Sequence, residues 1–153
     1  MRVYLDTCSL QRPLDDKSQL RIRLEAEAIL SVLDLIKAGQ LELVSSDVLI
    51  FEIERNPHLT RQEFALETIA GAPSYVQLSE TVERRAAELN QIGVETLDSL
   101  HLASAEAAEA DLFCTCDDSF LKKAKRAIKG GVKVVSPLEL AEEIEKWQSQ
   151  LDR

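Results

Sequence analysis

Four carboxylates lie far apart in this chain, each where a strand hands over to a helix: Asp6, Glu52, Asp98 and Asp117. Asp6 ends the apolar run Val3-Tyr4-Leu5, and Asp117 follows Leu112-Phe113-Cys114-Thr115. Glu52 and Asp98 fall in helix openings that begin with Ser45-Ser46 and Thr96. In an open parallel sheet, ligands gather outside the carboxyl ends of the strands, where the following helices start. Four acids delivered to that edge repel one another unless a divalent cation sits among them. Such a cluster suits cleavage of phosphodiester bonds with Mg²⁺ or Mn²⁺.

Each acid also has a plainer reading. Asp6 can cap the turn through the amides of Thr7-Cys8-Ser9. On a helix Glu52 shares a face with Val48, so its carboxylate borders buried surface. Asp98 follows Thr96, the expected cap, in a first turn where the helix dipole favours a carboxylate. His101, one turn further on, is placed either to contact Asp98 or to serve as a packed, hydrogen-bonded core residue. Of Asp117 and Asp118, one is expected to cap the next helix while the other points at the site. It is the shared placement at one sheet edge that carries the signal.

The positioning elements follow from apolar spacing. Short strands are expected at Val3–Asp6, Leu41–Val44, Tyr75–Leu78, Leu112–Thr115 and Val132–Val135. Between them, helices are expected over Ser18–Ala38, Asp47–Arg55, Arg61–Ala70, Glu80–Gln91, Thr96–Ala110 and Asp118–Ile128, with a last one opened by Pro137. Arg12-Pro13 and Asp15-Asp16 read as a polar loop. Strands separated by helices along the whole length imply an α/β fold with a parallel central sheet sandwiched between helices. A single domain over residues 1–153 is expected, since no linker, repeat or low-complexity segment interrupts the chain.

Composition narrows the function classes. The formal net charge of −9 argues against broad nonspecific nucleic-acid binding, which relies on Lys and Arg neutralising phosphates. A nuclease survives that argument only with a local basic patch. Candidates are Arg12, Arg55 and the run Lys122-Lys123-Ala124-Lys125-Arg126, which also reads as an ordinary solvated face. Three cysteines, Cys8, Cys114 and Cys116, form an odd set and read as reduced thiols; no further Cys/His pair supports a soft-metal site at Cys114-x-Cys116. The N-terminus enters a strand pattern at once and no apolar run spans a bilayer, so a cytoplasmic location is expected.

The segments Val3-Tyr4-Leu5-Asp6-Thr7, Ser46 to Glu52, Leu97 to Ala103 and Cys114 to Leu121 together resemble the PIN domain, a family that includes the ribonuclease toxins of VapBC-type toxin–antitoxin modules. The resemblance runs over essentially the whole chain and keeps the family's order of acids. It implies a three-layer α/β/α fold and metal-dependent RNA cleavage. By residue, the family's first acid falls on Asp6, its helical Glu on Glu52, its third acid on Asp98 and its fourth on Asp117, with Asp118 as the other register. Thr7 matches the small hydroxyl residue that follows the first Asp, whereas Cys8 stands where many relatives have Asn.

In the chemistry this implies, Asp6, Asp98 and Asp117 hold Mg²⁺ or Mn²⁺ and Glu52 completes the shell. Substrate guidance falls to Arg12, Arg55, Lys122 and Lys123. A homodimer is expected from spare apolar helix surface at Ile29-Leu30, Val32-Leu33 and Leu35-Ile36. A cognate antitoxin protein with an Arg-bearing tail is expected as partner. Two rivals remain. A haloacid-dehalogenase-like phosphatase also starts from an Asp at the end of a first strand, but it wants a second acid where this chain has Cys8. The other rival is an inactive PIN-like module that works by binding a partner.

Overall fold

The computed structural model describes residues 1–152. Five strands form one sheet: β1 (Arg2–Leu5), β2 (Glu42–Ser46), β3 (Ser74–Val76), β4 (Leu112–Cys114) and β5 (Lys133–Val135). Their order is β3-β2-β1-β4-β5 and every pairing is parallel. Val3, Tyr4 and Leu5 are all 0% exposed. Successive strand side chains point to opposite faces, so full burial of all three requires helices over both faces of the sheet. The three-layer α/β/α architecture expected from the sequence is the one observed.

Eight helices supply those layers. They are α1 (Thr7–Gln11), α2 (Leu20–Lys37), α3 (Asp47–Glu54), α4 (Leu59–Ala70), α5 (Glu80–Gln91), α6 (Thr96–Ala107), α7 (Asp118–Ala127) and α8 (Pro137–Leu151). α2 packs against α8, while α3 and α5 both pack against α6. The core is tied through aromatic rings at its centre. Tyr4 stacks on Phe113 with centroids 5.1 Å apart, and Phe113 meets Phe120 edge-on at 5.7 Å. Those contacts join β1, β4 and α7, and each ring removed from water contributes about 1.5–3 kcal/mol.

Three details depart from the sequence reading. The stretch read as a polar loop is folded as α1 followed by a 3-10 turn, Arg12–Leu14. Asp6 nucleates it as N-cap, and Pro13 is tolerated because a first-turn residue needs no N–H partner. α6 is preceded by Glu95 rather than by the expected cap Thr96, and Glu95 makes no side-chain cap bond. The apolar surface of α2 is mostly consumed inside the fold: Ile29, Val32 and Leu33 are buried and Leu35 and Ile36 pack against the core. Only Leu30 of that set stays largely exposed, at 45%. At those six positions the expected spare surface is therefore mostly used up, since α8 packs against α2 and the core takes the rest. No described helix is long and apolar enough to cross a membrane.

Candidate active site

The sheet order reverses between β1 and β4, whose parallel pairing ends at Leu5 opposite Cys114. β1 continues to β2 on one side and β4 to β5 on the other, so the carboxyl ends of β1 and β4 flank the crevice where open α/β sheets bind ligands. Asp6 and Asp117 leave the sheet at those two ends. The Asp6 amide donates to the Cys114 carbonyl at 3.1 Å, which fixes the first acid beside the end of β4.

Asp6 is 5% exposed. Its Oδ1 accepts from the Ser9 amide at 3.0 Å and from the Cys8 thiol at 3.1 Å. Burial pushes its carboxyl up from the ordinary value, against hydrogen bonds that lower it. Asp117 is the N-cap of α7, with Oδ1 accepting from the Phe120 amide at 3.1 Å, while its own amide donates to Thr115 Oγ1 at 3.1 Å. Asp118 turns the other way and takes a two-pronged contact from Arg21, at 2.6 and 2.8 Å. The expectation that one Asp would cap and the other face the site is corrected: Asp117 does both. A cap uses a single carboxylate oxygen, and Asp117 remains near enough to Asp98 to raise its pKa.

Asp98 is half-buried in the first turn of α6. Burial, together with the charges of Asp6 and Asp117, pushes its carboxyl up to about 6. Three acids from three separate segments thus sense one another electrostatically. Glu52, on α3, lies against His101 of α6. Burial alone would raise its pKa, but a hydrogen bond from His101 holds it below the ordinary value.

The second half of the site escaped the sequence reading. His101 is 1% exposed and contacts Glu52 and Tyr4 rather than Asp98. Tyr4 also contacts Ser46, whose hydroxyl caps α3. The only signal for His101 was its place one turn after Asp98; Tyr4 read simply as core.

The donor set suits a hard divalent ion, being built of carboxylate oxygens. The Thr7 hydroxyl, buried beside Glu52, has no hydrogen-bond partner of its own. Among the described residues no three His, Cys, Asp or Glu side chains stand together at ligating separation.

The basic candidates divide. Arg12 is tied internally, at 2.7 Å to Asp15 and 3.3 Å to the buried Glu25. Arg55 is exposed and lies over the exposed Phe51 ring, 5.0 Å from its centroid. Lys122 and Lys123 are exposed on α7, whose opposite face buries Phe120 and Ala124. All three cysteines are free thiols, Cys8 exposed and Cys114 and Cys116 buried.

A family model described as PIN domain matches residues 3–126. Two solved structures share the fold. FitAcB from Neisseria gonorrhoeae is 19% identical, covering 89% of this chain and 98% of that one with a TM-score of 0.54. VapBC2 from Rickettsia felis, bound to a DNA fragment from its promoter, is 12% identical over the same shares with a TM-score of 0.59. No curated protein matches the chain in sequence.

Proposed function

Because the chain belongs to the PIN domain family, we propose that it is a metal-dependent endoribonuclease that hydrolyses RNA phosphodiester bonds. What supports this reading is the placement of Asp6 and Asp117 just beyond the carboxyl ends of the adjacent strands β1 and β4, with Asp98 within electrostatic reach of both. Asp6, Asp98 and Asp117 are the residues that would hold Mg²⁺ or Mn²⁺, with Glu52 completing the shell. A bound divalent ion supplies Lewis acidity and an activated water.

The chain's own residues do the rest. Asp6 and Asp117 are held at their strand ends by the cap bonds to Ser9 and Phe120, so their backbones are rigid while one oxygen of each stays uncommitted to a cap. Glu52 is kept ionised by His101 and accepts a proton from water at its carboxylate. Lys122 and Lys123 on α7, which Asp117 caps, and Arg55, the C-cap of α3, draw the polyanion toward an otherwise acidic surface. Arg12, already paired with Asp15 and Glu25, serves substrate less directly than the sequence suggested.

Similarity to VapBC2 supports a further step: the protein acts in the cytoplasm as the toxin of a type II toxin–antitoxin module, restrained by a cognate antitoxin. A guanidinium from that partner fits an acidic pocket, since it pairs with carboxylates through two parallel hydrogen bonds. Homodimerisation belongs to the same proposal, its surface sought at Leu20, Leu24 and Leu30 on α2, which remain exposed.

One observation favours the rival reading of a partner-binding module without activity: Asp6 and Asp117 each serve as a helix cap. Highly purified protein incubated with RNA and Mg²⁺, with and without chelator, separates the two. Chelator-sensitive cleavage supports the nuclease; no cleavage in the presence of Mg²⁺ supports the binding module. The phosphatase reading loses ground, because the residue two after Asp6 is a thiol that donates to that Asp rather than a second acid.

A further inference from the structure

We infer that His101 is the positioning residue for Glu52, its Nε2–H holding one carboxylate oxygen in place through a buried relay that runs from α3 through β2 and β1 to α6. The role rests on the nuclease reading; the geometry stands without it. The relay begins at the Leu49 amide, 3.1 Å from Ser46 Oγ. Ser46 Oγ lies 2.8 Å from the Tyr4 hydroxyl, and that hydroxyl lies 2.7 Å from His101 Nδ1. His101 Nε2 then reaches Glu52 Oε1 at 3.2 Å. Ser46 and Tyr4 are 0% exposed and His101 1%, so every proton in the chain needs a protein partner.

Counting those protons leaves one direction that satisfies all of them. The Leu49 amide can only donate, so Ser46 Oγ accepts it and is free to donate its own proton to the Tyr4 oxygen. Tyr4 carries one proton, which then goes to His101 Nδ1. An Nδ1 that accepts requires Nε2 to be protonated, and Nε2–H donates to a carboxylate that can only accept. Reversing the chain would leave the Ser46 proton buried without an acceptor, which buried polar groups avoid.

The relay has a consequence for the site. Oε1 is the Glu52 oxygen that His101 holds. His101 stands three residues after Asp98 on α6. One imidazole therefore ties an acid on α3 to the helix that bears another, and a shift of either helix is transmitted to both carboxylates. A histidine that merely filled the core would need burial and two partners, but not this donor on this carboxylate.

Two measurements test the inference. Long-range ¹⁵N–¹H NMR of the wild-type protein reads the tautomer directly and is expected to show Nε2 protonated and Nδ1 bare; a protonated Nδ1 with a bare Nε2 overturns the relay. The second compares variants by Mg²⁺-dependent RNA cleavage. His101→Gln puts an amide donor near the place of Nε2, whereas His101→Asn reaches only the place of Nδ1, keeping Tyr4 company and losing Glu52. His101→Asn is expected to lower kcat roughly 10–100-fold, as loss of an outer-shell partner does, with KM for RNA within about twofold. His101→Gln is expected to retain most of the wild-type kcat. Tyr4→Phe keeps the stack on Phe113 and removes the hydroxyl that accepts from Ser46 and donates to Nδ1. It is expected to lower kcat in the same direction and serves in place of a His101→Asn that fails to fold. Equal kcat in the Gln and Asn variants, or an unchanged kcat in Tyr4→Phe, overturns the positioning role. If wild-type protein cleaves no RNA, the nuclease reading fails and the role with it, while the tautomer measurement still tests the relay.

Discussion

Asp117 and Asp118 are neighbours in sequence yet face different partners: Asp117 caps α7 and raises the pKa of Asp98, while Asp118 grips Arg21 through two contacts of 2.6 and 2.8 Å. The two positions are therefore separable by mutation. Asp118→Ala is expected to leave RNA cleavage intact and stability close to wild type, because both partners are more than half exposed and the pair is screened. Asp117→Ala is expected to abolish cleavage and to lose about 0.5–2 kcal/mol with the cap. Urea melts run beside a cleavage assay check both. Loss of activity in Asp118→Ala alone would reverse the assignment.

Asp6→Asn and Asp98→Asn each remove one charge from a crowded site without changing its shape. Burial already penalises the ionised form of both groups. The metal-free variants are therefore expected to be as stable as wild type or slightly more so, and an Asn at position 6 can still cap α1. Cleavage is expected to disappear, along with the stabilisation by Mg²⁺, which amounts to about 2.7 kcal/mol when ion is present at 100 times its Kd. Thermal melts with and without Mg²⁺ decide it; reduced stability with activity retained would sink the metal-site reading.

The pH dependence of the metal-free protein has a defined sign. Asp98 has an ordinary pKa of 3.8 and a folded value of about 6, so between these limits the folded state binds more protons than the unfolded one. Stability then rises as pH falls from about 7 toward 4.5, and raised Asp6 acts in the same direction. Glu52 works oppositely, since its folded pKa is depressed. Its contribution is present above the ordinary 4.5 and is lost as pH falls through the depressed value. Denaturant unfolding at pH 7, 6 and 5 is expected to show a gain on acidification that Asp98→Asn diminishes. A flat profile in the wild-type protein would contradict it.

Lys122→Glu combined with Lys123→Glu removes an exposed positive patch without touching the buried face of α7. KM for RNA is expected to rise and the salt dependence of kcat/KM to flatten, while kcat stays near wild type. Cleavage measured from low to moderate ionic strength checks this. An unchanged salt slope would show that these lysines are a solvated face only.

Much of the architecture is written in local pattern. The alternation of short β-rich runs with helical spacing dictates a parallel sheet, because parallel strands need a crossover and a helix supplies it. The acids themselves were legible for a related reason. A carboxylate next to a buried strand is costly unless something holds it, so Asp6 and Asp117 stand out against Val3-Tyr4-Leu5 and Leu112-Phe113-Cys114. The 3-10 turn at Arg12–Leu14 was not legible, since its hydrogen bonds are few and its start depends on a cap at Asp6.

What only the tertiary structure decided is partnership. Whether Asp117 or Asp118 joins Asp98 depends on where Arg21 of α2 comes to rest, 97 residues away in sequence. Whether Arg12 is free depends on Glu25 and Asp15, and whether α2 has apolar surface to spare depends on α8 and β2 covering it. The relay from Ser46 through Tyr4 and His101 to Glu52 joins four elements that no sequence window contains. Sequence determines which groups carry charge, protons and apolar area, because those are properties of single residues. Which groups meet is settled by packing, because a hydrogen bond or ion pair exists only once both partners are held within about 3 Å of each other.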